Sequence, residues 1–246
     1  MDLKTKLKNT GFYKIISPAY NLIKRSFHHD SHGTFIFYKP LNIVYIGIPK
    51  NANSSINRLF LKKLGIPFDE NDYNTIHVVK QQFAISKKEV VKLKKSQSIK
   101  SIAFVRNPFS RLVSCYKNKI IDENSRPLYE GYYGFIYHKM SFEKFVNRII
   151  LIPDIMSDIH FRSQSSFLFK GSTPLFDYLG HVETLQEDCE TIIKEHNLPP
   201  LKSINVSKKD YEWEEFYTPK LAEKVYKRYQ KDFERLGYNN QLNRLL

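Results

Sequence analysis

Apolar residues fall along this chain in two rhythms, short unbroken runs and a three-to-four-residue spacing, and the change from one to the other predicts its elements. Phe35–Tyr38 and Leu41–Ile48 are unbroken, β-branched and aromatic runs, so they predict two strands parted by Lys39-Pro40. Pro49 has no N–H for a ladder and ends the second. After the polar Lys50–Asn53, the spacing of Ile56, Leu59, Phe60 and Leu64 predicts a helix closed by Gly65 and Pro67. Residues 67–80 read as a loop, and Ser86-Lys-Lys-Glu89 as a capping box opening a helix through Lys95. Ile102–Val105 is a further strand, followed by Arg106, Asn107 and a helix with Pro108 at its first position. Residues 122–140, rich in Tyr and Gly, predict a long loop whose rings either stack on sugar faces or pin the loop. Ser141–Ile150 predicts a helix with Phe142, Phe145, Val146 and Ile149 inward. Leu175–Val182 predicts a strand, and Thr184-Leu-Gln-Glu187 a second capping box whose helix runs to about Asn197. Thr218-Pro219 begins a last helix with Leu221, Val225, Tyr226, Tyr229 and Phe233 inward and Gly237 as its stop. Strand-helix units followed by helices predict an α/β protein, a three-layer α/β/α sandwich on a mainly parallel central sheet.

The two strand-loop-helix turns carry the polar chemistry. A helix N-terminus offers unpaired N–H groups and a partial positive charge, which suits an anion. At the first turn Lys50 adds a full charge, and Asn51, Asn53, Ser54 and Ser55 add donors. At the second, Arg106 leaves the strand end and Ser114 follows two turns into the helix, so a guanidinium fork and a hydroxyl are available to one phosphate. Ligands of open α/β sheets sit at the carboxyl ends of strands, where both turns lie. A nucleotide P-loop would place Lys-Ser/Thr at the end of a Gly-rich loop; here Lys50 comes first and no second Gly follows.

Together, Ile-Pro-Lys-Asn-Ala-Asn-Ser-Ser (48–55) and Phe-Val-Arg-Asn-Pro-Phe-Ser-Arg-Leu-Val-Ser-Cys-Tyr (104–116) resemble the sulfotransferases that use 3′-phosphoadenosine 5′-phosphosulfate (PAPS). The likeness is to their carbohydrate, Golgi-type family 2 branch, and a soluble, bacterial-type member is expected. Asp158-Ile-His-Phe-Arg-Ser-Gln164 and Tyr178–Asp188 look like later blocks of that branch, so the resemblance spans roughly residues 41–238. Asn107 departs from the branch's usual Asp. The resemblance implies a P-loop NTPase-like sulfotransferase fold. It implies that Lys50, Asn51, Ala52, Asn53, Ser54 and Ser55 hold the 5′-phosphosulfate, and that Arg106 and Ser114 hold the 3′-phosphate. Lys50 is expected to stabilise the leaving phosphate as well. For the base that accepts the acceptor's proton, histidine suits neutral pH. His77, between the two motifs, is the first candidate; His160 is the second and Glu183 a weaker third. The block holding His160, Arg162 and Gln164 is expected beside the acceptor.

Length and charge narrow the picture further. With 246 residues the chain suits one domain, taken as 35–246 after a basic leader, 1–34. The leader mixes Leu and Ile with Lys and Arg, which predicts short helices packed on the domain or, in a sharper version, peripheral contact with anionic lipid. The formal net charge of +14 calls for an anionic partner. The lysines are spread over the whole chain and no finger or RNA-reading motif is visible, so nucleic acid is not expected. Cys115 and Cys189 fit neither a disulfide framework nor a zinc site, and His28, His29 and His32 lack a completing ligand, so no metal is expected. No apolar run is long enough to span a membrane, which predicts a cytoplasmic enzyme, with a saccharide or lipid-linked saccharide as acceptor. A P-loop kinase or NTPase, and a basic nucleic-acid-binding protein, remain the alternatives from other classes.

Overall fold

A computed structural model describes residues 34–69, 72–96, 99–123, 132, 134–201 and 213–246. Residues 1–33 of the basic leader, with its three histidines, and residues 124–131 and 133 of the Tyr/Gly-rich loop, Tyr129 and Tyr133 included, lie outside these residues.

The sheet begins as a hairpin. Strands β1 (Phe35–Tyr38) and β2 (Ile43–Ile46) pair antiparallel, turned by Lys39–Leu41 and by Asn42 in the left-handed region at φ 54°. Helix α1 (Asn53–Lys63) follows β2, and α2 (Tyr73–Gln81) precedes the two-residue strand β3 (Ala84–Ile85) on the outer edge of β1. Helix α3 (Lys87–Ser96) leads to β4 (Lys100–Val105), which lies parallel to β2 and precedes α4 (Pro108–Tyr116), a π-turn (Lys117–Ile121) and α5 (Phe142–Ile149). A short α6 (Ser165–Leu168) runs into a small separate hairpin, β5 (Phe169–Lys170) and β6 (Thr173–Pro174). Strand β7 (Tyr178–His181) then lies parallel to β4 and leads to α7 (Leu185–His196), with α8 (Pro219–Arg228) and α9 (Gln230–Arg235) last. The sheet order is β3-β1-β2-β4-β7.

This is a mixed sheet, not the mainly parallel one expected: of its four pairings, those of β1 with β2 and with β3 are antiparallel. The cause is the short turn after Tyr38, because a connection of a few residues can only reverse the chain. The parallel trio β2, β4 and β7 sends its three carboxyl ends to one edge.

Both faces of the sheet are apolar and covered. Val44, Ile46, Ala103 and Val105 pack with α4, α5, α8 and α9, while Ile43, Tyr45, Ile102 and Phe104 pack with α1, α2 and α7. Several local expectations hold. Ser86 and Glu89 form a reciprocal capping box, Ser86 N donating to Glu89 Oε2 at 2.7 Å and Glu89 N to Ser86 Oγ at 3.2 Å. The four apolar residues named on α5 are all buried.

Three other expectations are corrected. Residues 73–81 are helical although Thr75, Ile76, Val78 and Val79 are poor helix formers. Ile76 is fully buried against the α1 side of the sheet, and tertiary packing of this kind overrides propensity. The Thr184 capping box does not form: Val182–Thr184 is a 3₁₀ turn, and Thr184 Oγ1 donates to Asp188 Oδ2 at 2.7 Å. The last helix is two, broken at Tyr229, whose buried hydroxyl donates to Phe161 O at 2.6 Å.

Candidate active site

The turn after β2 is built by its own polar side chains. Lys50 and Ala52 both take left-handed backbone, at φ 71° and 53°, which costs non-glycine residues free energy and marks a shape held by its surroundings. Asn51, fully buried, holds it: Nδ2 donates to Phe104 O at 2.9 Å and to Gln164 Oε1 at 2.7 Å. Asn53 turns inward, its Oδ1 accepting from Asn57 Nδ2 at 2.6 Å. A Cβ on Gly47 would lie 2.4 Å from Asn53 Oδ1, so only glycine allows this approach. The first backbone bond of the helix is Ile56 N to Ala52 O at 3.1 Å, which leaves the amides of Asn53, Ser54 and Ser55 for an incoming anion. Among the described residues the Ser54 and Ser55 hydroxyls make no hydrogen bond.

Lys50 Nζ donates to Asn118 Oδ1 at 3.1 Å, on the π-turn. Burial, with Lys119, Arg106 and Arg111 nearby, holds its ammonium down to about 8. Among the described residues no carboxylate pairs with it, and a cation crowded by other cations favours a nearby anion.

The turn after β4 comes to meet the first. Asn107 caps α4, Oδ1 accepting from Phe109 N at 2.9 Å, and its Nδ2 donates to Gln241 Oε1 at 2.9 Å. An Asp at 107 could make the first of these bonds but not the second. Arg106 Nη1 reaches Lys50 O at 3.4 Å, and its Nε donates to Ser110 Oγ at 3.0 Å. Ser110, one helical turn before Ser114, is therefore the hydroxyl on Arg106. Ser114 is half-buried, and its hydroxyl makes no hydrogen bond among the described residues.

The two histidines belong to the same electrostatic neighbourhood. Burial first, then Lys80, His160 and Lys119, lower His77 to about 4. Burial also lowers His160, against a hydrogen bond to Asp158 that favours its charged form. His160 Nδ1 lies 2.7 Å from Asp158 Oδ1. An ionised carboxylate only accepts, so Nδ1 carries the hydrogen and Nε2 keeps its lone pair. Both rings are neutral at pH 7 and able to take a proton.

A family model for sulfotransferases matches residues 33–239, which takes in every element from β1 to α9. The chain belongs to the sulfotransferase family. It is also similar to carbohydrate sulfotransferase 12 of Xenopus laevis, 23% identical over 245 residues, a match covering 80% of this chain and 58% of the relative. The chain thus spans less than two thirds of that relative's length. No solved structure gives a significant match.

The structure gives the other expected site residues of this sulfotransferase these partners. Glu183 is taken up by the scaffold, accepting from Asn107 N at 2.7 Å and Tyr238 Oη at 2.9 Å. Arg162 is buried and donates to Ile155 O, and Gln164 is fully buried among main-chain groups. Arg111 was not singled out from the sequence, yet it braces the site: its fork donates to Pro49 O at 3.1 Å, Arg162 O at 2.8 Å and Ile159 O at 3.2 Å. Asn118 and Lys119 were missed as well. Their only sequence signal is Lys-Asn-Lys directly after the second motif, and the π-turn that brings them to Lys50 has no local signature.

Proposed function

We propose that this sulfotransferase transfers a sulfuryl group from PAPS to a hydroxyl or amine of a carbohydrate acceptor, in line, with His77 as base and Lys50 on the leaving phosphate. The observation that carries this is the meeting of two anion-gathering turns at one sheet edge, Arg106 reaching the Lys50 carbonyl at 3.4 Å, beside two neutral histidines. A ligand with two separate phosphate-type groups fits this arrangement. The 50–55 turn would hold one through backbone amides, Lys50 and the two serines, and Arg106 with Ser114 the other. When bound, the donor supplies the sulfuryl group and a phosphate leaving group. Lys50 places positive charge where that phosphate's bridging oxygen gains negative charge, and His77 takes the proton of the attacking group. The carbohydrate class rests on the relative's name together with the motif resemblance. The apolar cover on both sheet faces supports a three-layer, P-loop-like sulfotransferase arrangement. We place the enzyme in the cytoplasm, with peripheral contact of the basic residues 1–34 with anionic lipid as the sharper of the two leader readings. Among the described residues no helix is long and apolar enough to cross a membrane.

His160 as base is the second reading, favoured by the Asp158 contact that fixes its tautomer. Family membership leaves the kinase-like and nucleic-acid alternatives without support.

Calorimetry tests the donor. Adenosine 3′,5′-bisphosphate should bind far more tightly than ATP, because Arg106 is aimed at a 3′-phosphate that ATP lacks. Arg106→Ala should cost that binding ~1.5–3 kcal/mol, the scale of a charged hydrogen bond. Equal affinity for ATP and the bisphosphate would overturn the proposal. Since Lys50, Arg106 and Lys119 bring positive charge of their own, turnover should persist in excess chelator. Loss of activity with chelator and its return with magnesium would favour a phosphotransferase instead.

A further inference from the structure

We infer that Gln164 is a positioning residue whose side-chain amide joins the two donor turns into one unit, fixing the separation at which two phosphate-type groups are held. This rests on the proposed donor and assigns Gln164 a task other than acceptor contact.

The sheet creates the need. The last paired residue of β4 is Val105, opposite His181, and on the other side the ladder with β2 ends at Ala103. Arg106 is therefore buried just beyond the ladder, with main-chain groups that no strand satisfies. Gln164 supplies both partners: Oε1 accepts from Arg106 N at 3.0 Å, and Nε2 donates to Arg106 O at 2.7 Å. One side chain thus imitates the edge of a neighbouring strand. The same Oε1 accepts from Asn51 Nδ2 at 2.7 Å, which ties in the Lys50 turn. Asn51 Nδ2 also reaches Phe104 O at 2.9 Å, so both turns are referred to one stretch of β4.

The joint is anchored from behind. Asp232, fully buried on α9, accepts from Gln164 N and Ser165 N, each at 2.7 Å. The break at Tyr229 starts the separate helix that carries Asp232. A primary amide has the acceptor and donor this joint uses at once, at every pH. An ionised Glu lacks the donor, and Leu or Met would leave Arg106 N, Arg106 O and one Asn51 bond unpaired.

The test compares adenosine 5′-monophosphate with adenosine 3′,5′-bisphosphate by calorimetry on the full chain, alongside thermal melts. Wild type should bind the bisphosphate at least ~10-fold more tightly, the fold-change of one charged contact. In Gln164→Glu, the isosteric variant, the monophosphate should bind within about threefold of wild type while the bisphosphate advantage falls below about threefold, on the same scale. A folded variant that keeps the advantage, or loses affinity for both ligands equally, overturns the inference. Wild type without any advantage overturns the donor reading instead, which keeps the two failures distinct. If the variant gives no cooperative melt, amide exchange on wild type decides. The bisphosphate should slow exchange at Arg106 N–H by more than adenosine 5′- and 3′-monophosphate slow it together. Merely additive slowing overturns the joint.

Discussion

His77→Ala should turn over ~10²–10⁴-fold more slowly than wild type, the range for a lost general base, while binding the donor almost unchanged. His77 lies on α2, outside the two donor turns in sequence, so the donor-holding residues 50–55, Arg106 and Ser114 are all kept in this variant. Its imidazole is held near 4 by burial and by Lys80, His160 and Lys119, so it is neutral and proton-accepting across the neutral range. Below that value it is protonated and cannot act, so wild type should lose kcat/KM for the donor as pH falls through about 4. Negative charge on a bound donor favours imidazolium, so the acidic limb of kcat should sit at higher pH. Both limbs should vanish in His77→Ala. Were His77 only packing, the variant would lose melting temperature and donor affinity together. A folded His77→Ala with wild-type turnover would pass the role to His160. Asp158→Asn should then lower turnover without weakening the donor, because the lost carboxylate orients the His160 ring.

Lys50→Ala should lower turnover by ~10²–10³-fold, the cost of one lost stabiliser of developing charge, and also weaken donor binding by ~1.5–3 kcal/mol, the scale of a charged hydrogen bond. Both fall because an ammonium at this turn meets the donor's charge before and during transfer. The pH dependence has a definite sign. Lys50 in the unliganded protein loses its proton near 8, so wild-type donor affinity should fall as pH rises through about 8. Lys50→Ala should lack that component. Folding shows the opposite trend. A lysine whose folded value is depressed binds fewer protons in the native state, so between about 8 and the ordinary lysine value of about 10.5 its contribution to stability rises with pH. Buried Lys80, also lowered to about 8, adds to that rise. Bisphosphate affinity and melting temperature measured from pH 7 to 10 in wild type and Lys50→Ala separate the two effects. Affinity that does not change with pH would remove Lys50 from donor binding.

Much of this was legible from local pattern. The two strands that lead to Lys50 and Arg106 are apolar on both faces, so they read as buried at once, and Pro108 and Ser86 mark helix starts by chemistry that acts within three residues. The family resemblance lay in the same two turns. The α2 helix was not legible, because Ile76 and Val79 are as good in a strand and only packing against the α1 side chose the helix. The mixed sheet was missed for a related reason, since run lengths predict strands but not the direction in which they pair.

By itself, then, the sequence determined where strands stop, where helices are capped and which polar residues stand at the carboxyl ends of the strands. Spacing of burial and turn chemistry act over a few residues, and that range suffices. Only the tertiary structure decided which distant partners those polar groups meet. Gln164, Glu183 and the amide nitrogen of Asn51 stand among polar residues that local pattern treats like Lys50, but they hydrogen-bond to groups far away in the chain. Asn51 meets Gln164 across 113 positions, and no local spacing encodes a partner at that distance. A buried polar atom takes whatever partner the packed chain brings to it, because leaving it unpaired costs more than any local preference supplies.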